Sequence, residues 1–203
     1  MSPTGSAQAF PLMVKLLPFV MGMNPPTGYV APGSPTYYAL AARPLVTKEQ
    51  APTPRFGHVG ILPPEIIEAA RASLKNWGIP PSITLAQWIV ESAWGAAMPP
   101  DSNNPFGIKA LEGQPAVESE TREVIDGKVL TVTARFRRFA SMSEAFDLHG
   151  KLLARGSPYR AAMEVVKDPD RFADALTGVY ATDPQYGTTL KWVMDNYRLK
   201  QYD

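Results

Sequence analysis

The stretch Val117-Glu118-Ser119-Glu120-Thr121-Arg122-Glu123-Val124-Ile125, then Asp126-Gly127, then Lys128-Val129-Leu130-Thr131-Val132-Thr133-Ala134-Arg135-Phe136, decides the fold class. Asp-Gly is a favoured two-residue hairpin turn, and strand-forming residues flank it on both sides. The pattern predicts antiparallel strands over 117–125 and 128–139. With a two-residue loop, Glu123 faces Leu130 and shares a sheet face with Thr121, Ile125 and Val132. Arg122, Val124, Thr131 and Arg135 take the other face. This is the one convincing β signal in the chain, and the rest is punctuated for helices, so the class is α+β.

Working outward, Pro63-Pro64 lead into a helix with Ile66, Ile67, Ala70, Leu74 and Trp77 on one face and Gly78 as its stop. A second helix starts near Ser82. Leu85, Trp88, Ile89, Ser92 and Ala96 form its buried stripe, and Pro99-Pro100 end it. A loop over 101–109 precedes the hairpin. After the hairpin, Ser141 with Glu144 makes a capping box, followed by Phe146, His149, Leu152 and Leu153 along one side. Ser157-Pro158, Asp168-Pro169 and Asp183-Pro184 each set a capping residue before a proline, which predicts three further short helices.

The composition removes several classes of chemistry. The chain has 203 residues, 20 Lys plus Arg against 19 Asp plus Glu, and no cysteine. A net charge of +1 gives no overall basic excess toward nucleic acid or an anionic membrane. Without cysteine there is no disulfide, thiolate metal site or thiol nucleophile. With only His58 and His149, a multi-histidine metal site is excluded. Gly-rich phosphate loops, G-x-S-x-G elbows and H-E-x-x-H motifs are all missing, so neither a metal nor a cofactor is expected.

Twelve of the 21 prolines fall in residues 1–64, which divides the chain into an arm, 1–60, and a domain, 61–203. The apolar stretch near residues 10–23 is broken by Pro11, Lys15 and Pro18, too short to span a membrane and a poor secretory signal. The arm is aromatic for a disordered tail and carries a net charge of +3 from Lys15, Arg43, Lys48, Arg55 and Glu49. One reading has it wrap its own domain or serve as a linker. The other has it dock the protein into a larger assembly, such as a phage particle, a flagellar structure or a secretion apparatus.

Carboxylates are the remaining catalytic candidates. Glu91 interrupts the otherwise apolar run Ala86-Gln87-Trp88-Ile89-Val90-Glu91-Ser92-Ala93-Trp94-Gly95. Its neighbours three and four positions away are Gln87, Trp88, Trp94 and Gly95, so its carboxyl borders the core stripe, where desolvation favours the neutral acid. The alternative is a solvated glutamate on a helix edge. Glu123 is a carboxylate on the more apolar face of the hairpin, unless that ribbon is solvated on both faces; Glu118 and Glu120 compete with it. In Tyr180-Ala181-Thr182-Asp183-Pro184-Gln185-Tyr186, Asp183 caps, Pro184 starts a helix and Tyr186 packs. Tyr180 alone has no structural duty there.

Together these clusters resemble the bacterial glucosaminidase family, glycoside hydrolase family 73, over about residues 64–200. The matching pieces are Ala86-Gln87-x-x-x-Glu91-Ser92-x-Trp94-Gly95, Asn103-Asn104-x-Phe106-Gly107-Ile108-Lys109, Thr121-Arg122-Glu123, Phe136-Arg137-x-Phe139, Ser143-Glu144-Ala145 and Tyr180-Ala181-Thr182-Asp183-Pro184-x-Tyr186. Their order makes the signal; each alone is weak. Pro105, Val124 and Gly187 depart from the family pattern. The resemblance implies a lysozyme-like fold, a mainly helical lobe facing a small β-hairpin lobe. It implies hydrolysis of the β-1,4 bond after N-acetylglucosamine in peptidoglycan glycan strands, in the cell-wall compartment or from a virion. Glu91 would protonate the leaving oxygen, Glu123 would be the second carboxylate, and Tyr180 would hold the substrate near the bond. Trp94, Asn104, Phe106, Lys109 and Tyr186 would contact substrate; Trp94, Phe106 and Tyr186 are more often core than sugar platform, with Phe106 and Tyr180 the two expected in the groove, and Lys109 is a partner for wall carboxylates or a solvated lysine.

Overall fold

The computed structural model describes residues 62–203, apart from 126, 127, 182 and the side chains of 122–130. The expectations for the arm, residues 1–60, lie outside the described residues. In chain order the elements are α1 (Pro64–Trp77), α2 (Pro81–Ser92), β1 (Ala116–Ile125), β2 (Lys128–Arg137) and α3 (Met142–Arg155). A 3-10 turn (Ser157–Tyr159), α4 (Arg160–Met163), α5 (Pro169–Leu176), α6 (Tyr186–Asn196) and a last 3-10 turn (Leu199–Tyr202) complete the domain. Among the described residues, no helix is long and apolar enough to cross a membrane.

Helix α2 is the centre. All twelve of its residues are buried, so it is enclosed on every side rather than along one stripe. Helices α1, α5 and α6 and the last 3-10 turn surround it. Two prolines open α2 without a side-chain cap of its own. Asp203, 121 positions away, supplies one: its carboxylate accepts from the Ser82 backbone N–H and from the Ser82 hydroxyl, both at 2.8 Å.

The end of α2 differs from the expected stop at Pro99-Pro100. The helix ends at Ser92, because Ala93, Trp94 and Gly95 all take positive φ, at 48°, 60° and 83°. Ser92 holds this reversal: its hydroxyl donates to the Trp88 carbonyl at 2.6 Å and accepts from the Gly95 N–H at 2.9 Å. Two consecutive non-glycine residues in the left-handed region store about 1–2 kcal/mol each. Trp94 is the anchor that compensates, packed edge-on against Trp88 and Tyr197 at centroid distances of 5.8 and 4.9 Å.

The hairpin register is the expected one, with Glu123 opposite Leu130 and Ile125 opposite Lys128. Val117, Ser119, Thr121, Val132 and Ala134 form a half-covered face, and Glu118, Glu120, Thr131, Thr133 and Arg135 an exposed one. Position 123 belongs by register to the half-covered face. The ribbon is tied to the helices at its base, where Arg137 N–H donates to Ile108 O at 2.8 Å and Phe136 is buried.

Other caps are as the spacing predicts, with two corrections. Gly78 ends α1 at φ 74°, Ser141 accepts from Glu144 N–H, and Asp168 accepts from Asp170 and Arg171 N–H at 3.1 Å each. Ser157 caps nothing and lies inside the 3-10 turn. Asp183 forms a turn by accepting from Gln185 N–H at 2.8 Å, and α6 starts only at Tyr186. On α1 the buried line is Ile66, Ala69, Ala70 and Ser73, and Leu74 is exposed. Gly150 of α3 explains this rotation: a Cβ there would meet Trp77 at 2.9 Å, so the two helices approach through small residues.

Candidate active site

Glu91 stands in the last turn of α2, 6% exposed. Its Oε1 accepts from the Tyr186 hydroxyl at 3.0 Å, and that hydroxyl accepts from Gln87 Nε2, also at 3.0 Å. Gln87 and Glu91 are one helical turn apart and so share a face of α2. Tyr186, the first residue of α6, reaches both. The result is a directional relay, amide to phenol to carboxyl, with both ends on α2 and the phenol between them from α6.

Tyr180 stacks nearly parallel on Tyr186, centroids 5.5 Å apart with planes inclined by 15°. Tyr159 lies tilted against Tyr180 at 6.2 Å. Burial first, and the Glu91 charge second, raise all three phenol pKa values above the usual tyrosine value. The cluster therefore stays protonated and can offer donors around one carboxyl. The Tyr180 hydroxyl is buried without a hydrogen-bond partner among the described residues.

His149 of α3 lies behind this cluster. Its ring stacks on Phe106 at 3.9 Å and meets the edge of Tyr180 at 5.8 Å. Burial pushes its imidazole down to about 3. Below the ordinary value of 6.5, the unfolded chain takes up a proton that the folded protein refuses, so stability falls with pH. The loss is about 1.4 kcal/mol per pH unit until about pH 3. Urea midpoints at pH 7 and pH 4, compared with those of His149→Phe, isolate this contribution: the wild type loses more on acidification. Equal losses would show that His149 titrates normally.

The remaining candidates separate into two kinds. Trp94 and Phe106 are core residues, at 3% and 0% exposure: Trp94 makes edge-to-face contacts with Trp88 and Tyr197, and Phe106 stacks on His149 and meets Phe146 edge-to-face. The expectation has both contact substrate; the structure places both in the core. Asn104 is fully buried and spends both ends of its amide on backbone: Nδ2 donates to Ile108 O and Arg137 O, and Oδ1 accepts from Ile108 N–H. Lys109 is half-buried, with Nζ 4.4 Å above the Phe136 ring. For Glu123 only the backbone position is described; Glu118 and Glu120 are exposed, on the face opposite to position 123.

A cleft of about 320 Å³ opens beside the tyrosines. Its walls are residues 108–111 and Gln114 from the loop before β1, Arg137 of β2, one side of α3 from Leu148 to Arg155, and Tyr159. Tyr159 is shared by this cleft and the tyrosine cluster, and the sequence does not single it out. The Ser157-Pro158 pattern predicts a helix start there, and the aromatic directly after it is the available signal. Among the described residues, no group of three His, Asp or Glu could hold a metal ion.

Comparison with known proteins converges on one family. The model of Glucosaminidase, mannosyl-glycoprotein endo-beta-N-acetylglucosaminidase, matches residues 67–199. Exo-glucosaminidase LytG of Bacillus subtilis is 34% identical over 140 residues, which is 66% of this chain and 50% of that protein. Peptidoglycan hydrolase FlgJ of Salmonella typhimurium is 35% identical over 129 residues, 60% of this chain and 40% of that protein. The chain thus spans half or less of the length of these two curated relatives. Among solved structures, the catalytic domain of the autolysin Auto from Listeria monocytogenes matches with a TM-score of 0.62 at 30% identity, covering 82% of this chain and 94% of that one. A C-terminally truncated glycoside hydrolase domain of Salmonella typhimurium FlgJ matches with a TM-score of 0.55 at 32% identity, covering 66% and 93%.

Proposed function

This chain belongs to the glucosaminidase family, and on that premise we propose that it is a peptidoglycan hydrolase that cuts the β-1,4 bond after N-acetylglucosamine with Glu91 as general acid. The observation that carries this reading is the position of Glu91: a buried carboxyl that accepts from the Tyr186 phenol, behind which Tyr180 and Tyr159 pack in turn. The Tyr186 donor fixes the direction of Oε1. In this reading Glu91 gives its proton to the glycosidic oxygen as it leaves.

The second carboxylate in this reading is Glu123, on the hairpin. It activates water or stabilises positive charge at the sugar carbon. Its support is register: position 123 belongs to the half-covered face, whereas Glu118 and Glu120 belong to the exposed one. Tyr180 holds the substrate, and its buried hydroxyl, without a protein partner among the described residues, is the donor left over for that task. Peptidoglycan lies outside the cytoplasm, so the protein acts in the cell-wall compartment. The aromatic content and net charge of residues 1–60 support docking into a larger assembly over a role as a linker or a wrap on the domain; unchanged localisation and assembly after deletion of 1–55 would remove that part.

The test is digestion of purified sacculi with analysis of the soluble products. New reducing ends on N-acetylglucosamine are expected. Reducing ends on N-acetylmuramic acid would overturn the bond assignment, and no new reducing ends would overturn the hydrolase reading.

The two stacked tyrosines give a paired prediction. Tyr186→Phe leaves the Gln87 amide without its buried acceptor and Glu91 without its donor, and costs about 1–3 kcal/mol of stability. Tyr180→Phe removes a hydroxyl that satisfies nothing in the fold, so its stability is unchanged or slightly higher. Its turnover of sacculi nonetheless drops, by about tenfold. Urea melts and product release on both variants check this; a destabilised Tyr180→Phe with full turnover would refute it.

A further inference from the structure

We infer that the cleft beside Tyr159 binds the acidic peptide stem of the glycan strand, and that Lys151 and Arg155 select for it. The inference rests on the hydrolase reading above and names what the cleft adds to it.

The cleft has two chemical zones. Its covered apolar lining comes from Ile108, Ala110, Leu148 and Leu152. Four cations stand among its lining residues, Lys109, Arg137, Lys151 and Arg155, and no carboxylate is among them. In a chain with 20 basic and 19 acidic residues, such segregation is local design rather than overall charge. Arg137 is partly neutralised, lying 3.5 Å from Glu144. Lys151 and Arg155 are exposed and one helical turn apart on α3, so their charges project along the same rim.

The position matters as much as the charge. Tyr159 lines the cleft and packs against Tyr180, which stacks on the Tyr186 that donates to Glu91. A strand cut at Glu91 therefore carries its neighbouring substituents past this rim. The glycan itself, an uncharged chain of hydroxyls and acetamides, has no use for four cations beside an apolar lining. The peptide stem does: it combines small apolar side chains with several carboxylates, which matches the lining and the rim in turn.

The experiment uses the full chain and two substrates, both stripped of wall-polymer phosphate. One is sacculi with stems intact; the other is the same material after an amidase has removed the stems. The wild type is expected to cut the first about fivefold faster in kcat/KM, the sum of two exposed ion pairs. The variant Lys151→Ala/Arg155→Ala is expected to lose that preference while cutting the denuded glycan at the wild-type rate. A variant that matches the wild type on both substrates, or slows equally on both, overturns the inference. The same pair prepared without phosphate stripping is run alongside, and a preference that appears only there assigns the rim to phosphate and also overturns the inference.

A binding arm separates this from failure of the hydrolase reading. If no substrate is cut, co-sedimentation of the wild type and the double variant with the two kinds of sacculi decides. Stem-dependent retention that the double variant loses supports the cleft assignment without turnover, and retention that ignores the stems overturns it.

Discussion

Glu91→Gln is expected to reduce release of reducing ends from sacculi by about 10²–10⁴-fold while the protein still folds and still sediments with the wall. The reasoning is atomic. The amide keeps the Oε1 that accepts from Tyr186, and with it the relay from Gln87, so the buried geometry survives. What is lost is the one proton that can be given to the departing oxygen. The side chain is 6% exposed, so water cannot stand in for the missing acid without repacking the tyrosines. Glu91→Asp sharpens the test: it keeps the acid and withdraws it by one methylene, and a misplacement of about 1 Å is itself costly. Turnover by Glu91→Gln within a few-fold of the wild type, at equal thermal stability, would remove Glu91 from the chemistry.

Asn104→Ala has the largest expected effect on the fold. The Asn104 amide makes three hydrogen bonds of 2.8, 2.9 and 2.9 Å, all to backbone, from a fully buried position. Its removal leaves the Ile108 N–H and the Arg137 carbonyl inside the protein with these bonds unmade, at a cost of about 2–4 kcal/mol. For a domain of this size that lowers Tm by about 10 °C. One of the three, to the Arg137 carbonyl, joins the loop after α2 to the base of β2, so the variant also loosens the hairpin that carries Glu123. Asn103→Ala is the comparison: its amide makes one bond, to Phe139 O at 3.0 Å, and about a third of the effect is expected. Equal melting of Asn104→Ala and the wild type would show that the loop holds itself without the amide.

These two asparagines show where a reading of the sequence reaches its edge. The spacing Asn-Asn-x-Phe-Gly-x-Lys marks the loop as special but does not say whether its amides face a ligand or the backbone. Both answers use the same donors and acceptors, and only burial separates them. Phe106 poses the same problem. An aromatic in a loop next to the helix that carries Glu91 suits a sugar platform until His149, on a helix 43 positions later, is found stacked on its face. Tyr159 escaped notice for the reverse reason. Its turn chemistry explained the segment locally, and its role arises only from approach to Tyr180, 21 positions on.

The hairpin register, the Gly78 stop, the Ser141 and Asp168 caps and the oddity of Glu91 in an apolar run were determined by the amino-acid order alone. Each depends on interactions within a few residues, where turn geometry and side-chain period leave one low-energy arrangement. Tertiary structure decided which candidates are interior, where α2 ends, and that a carboxyl, three phenols and a basic cleft meet. Those outcomes depend on what covers each face, and the covering groups come from elements far away in sequence: Tyr186 reaches Glu91 across 95 positions, and Asp203 reaches Ser82 across 121.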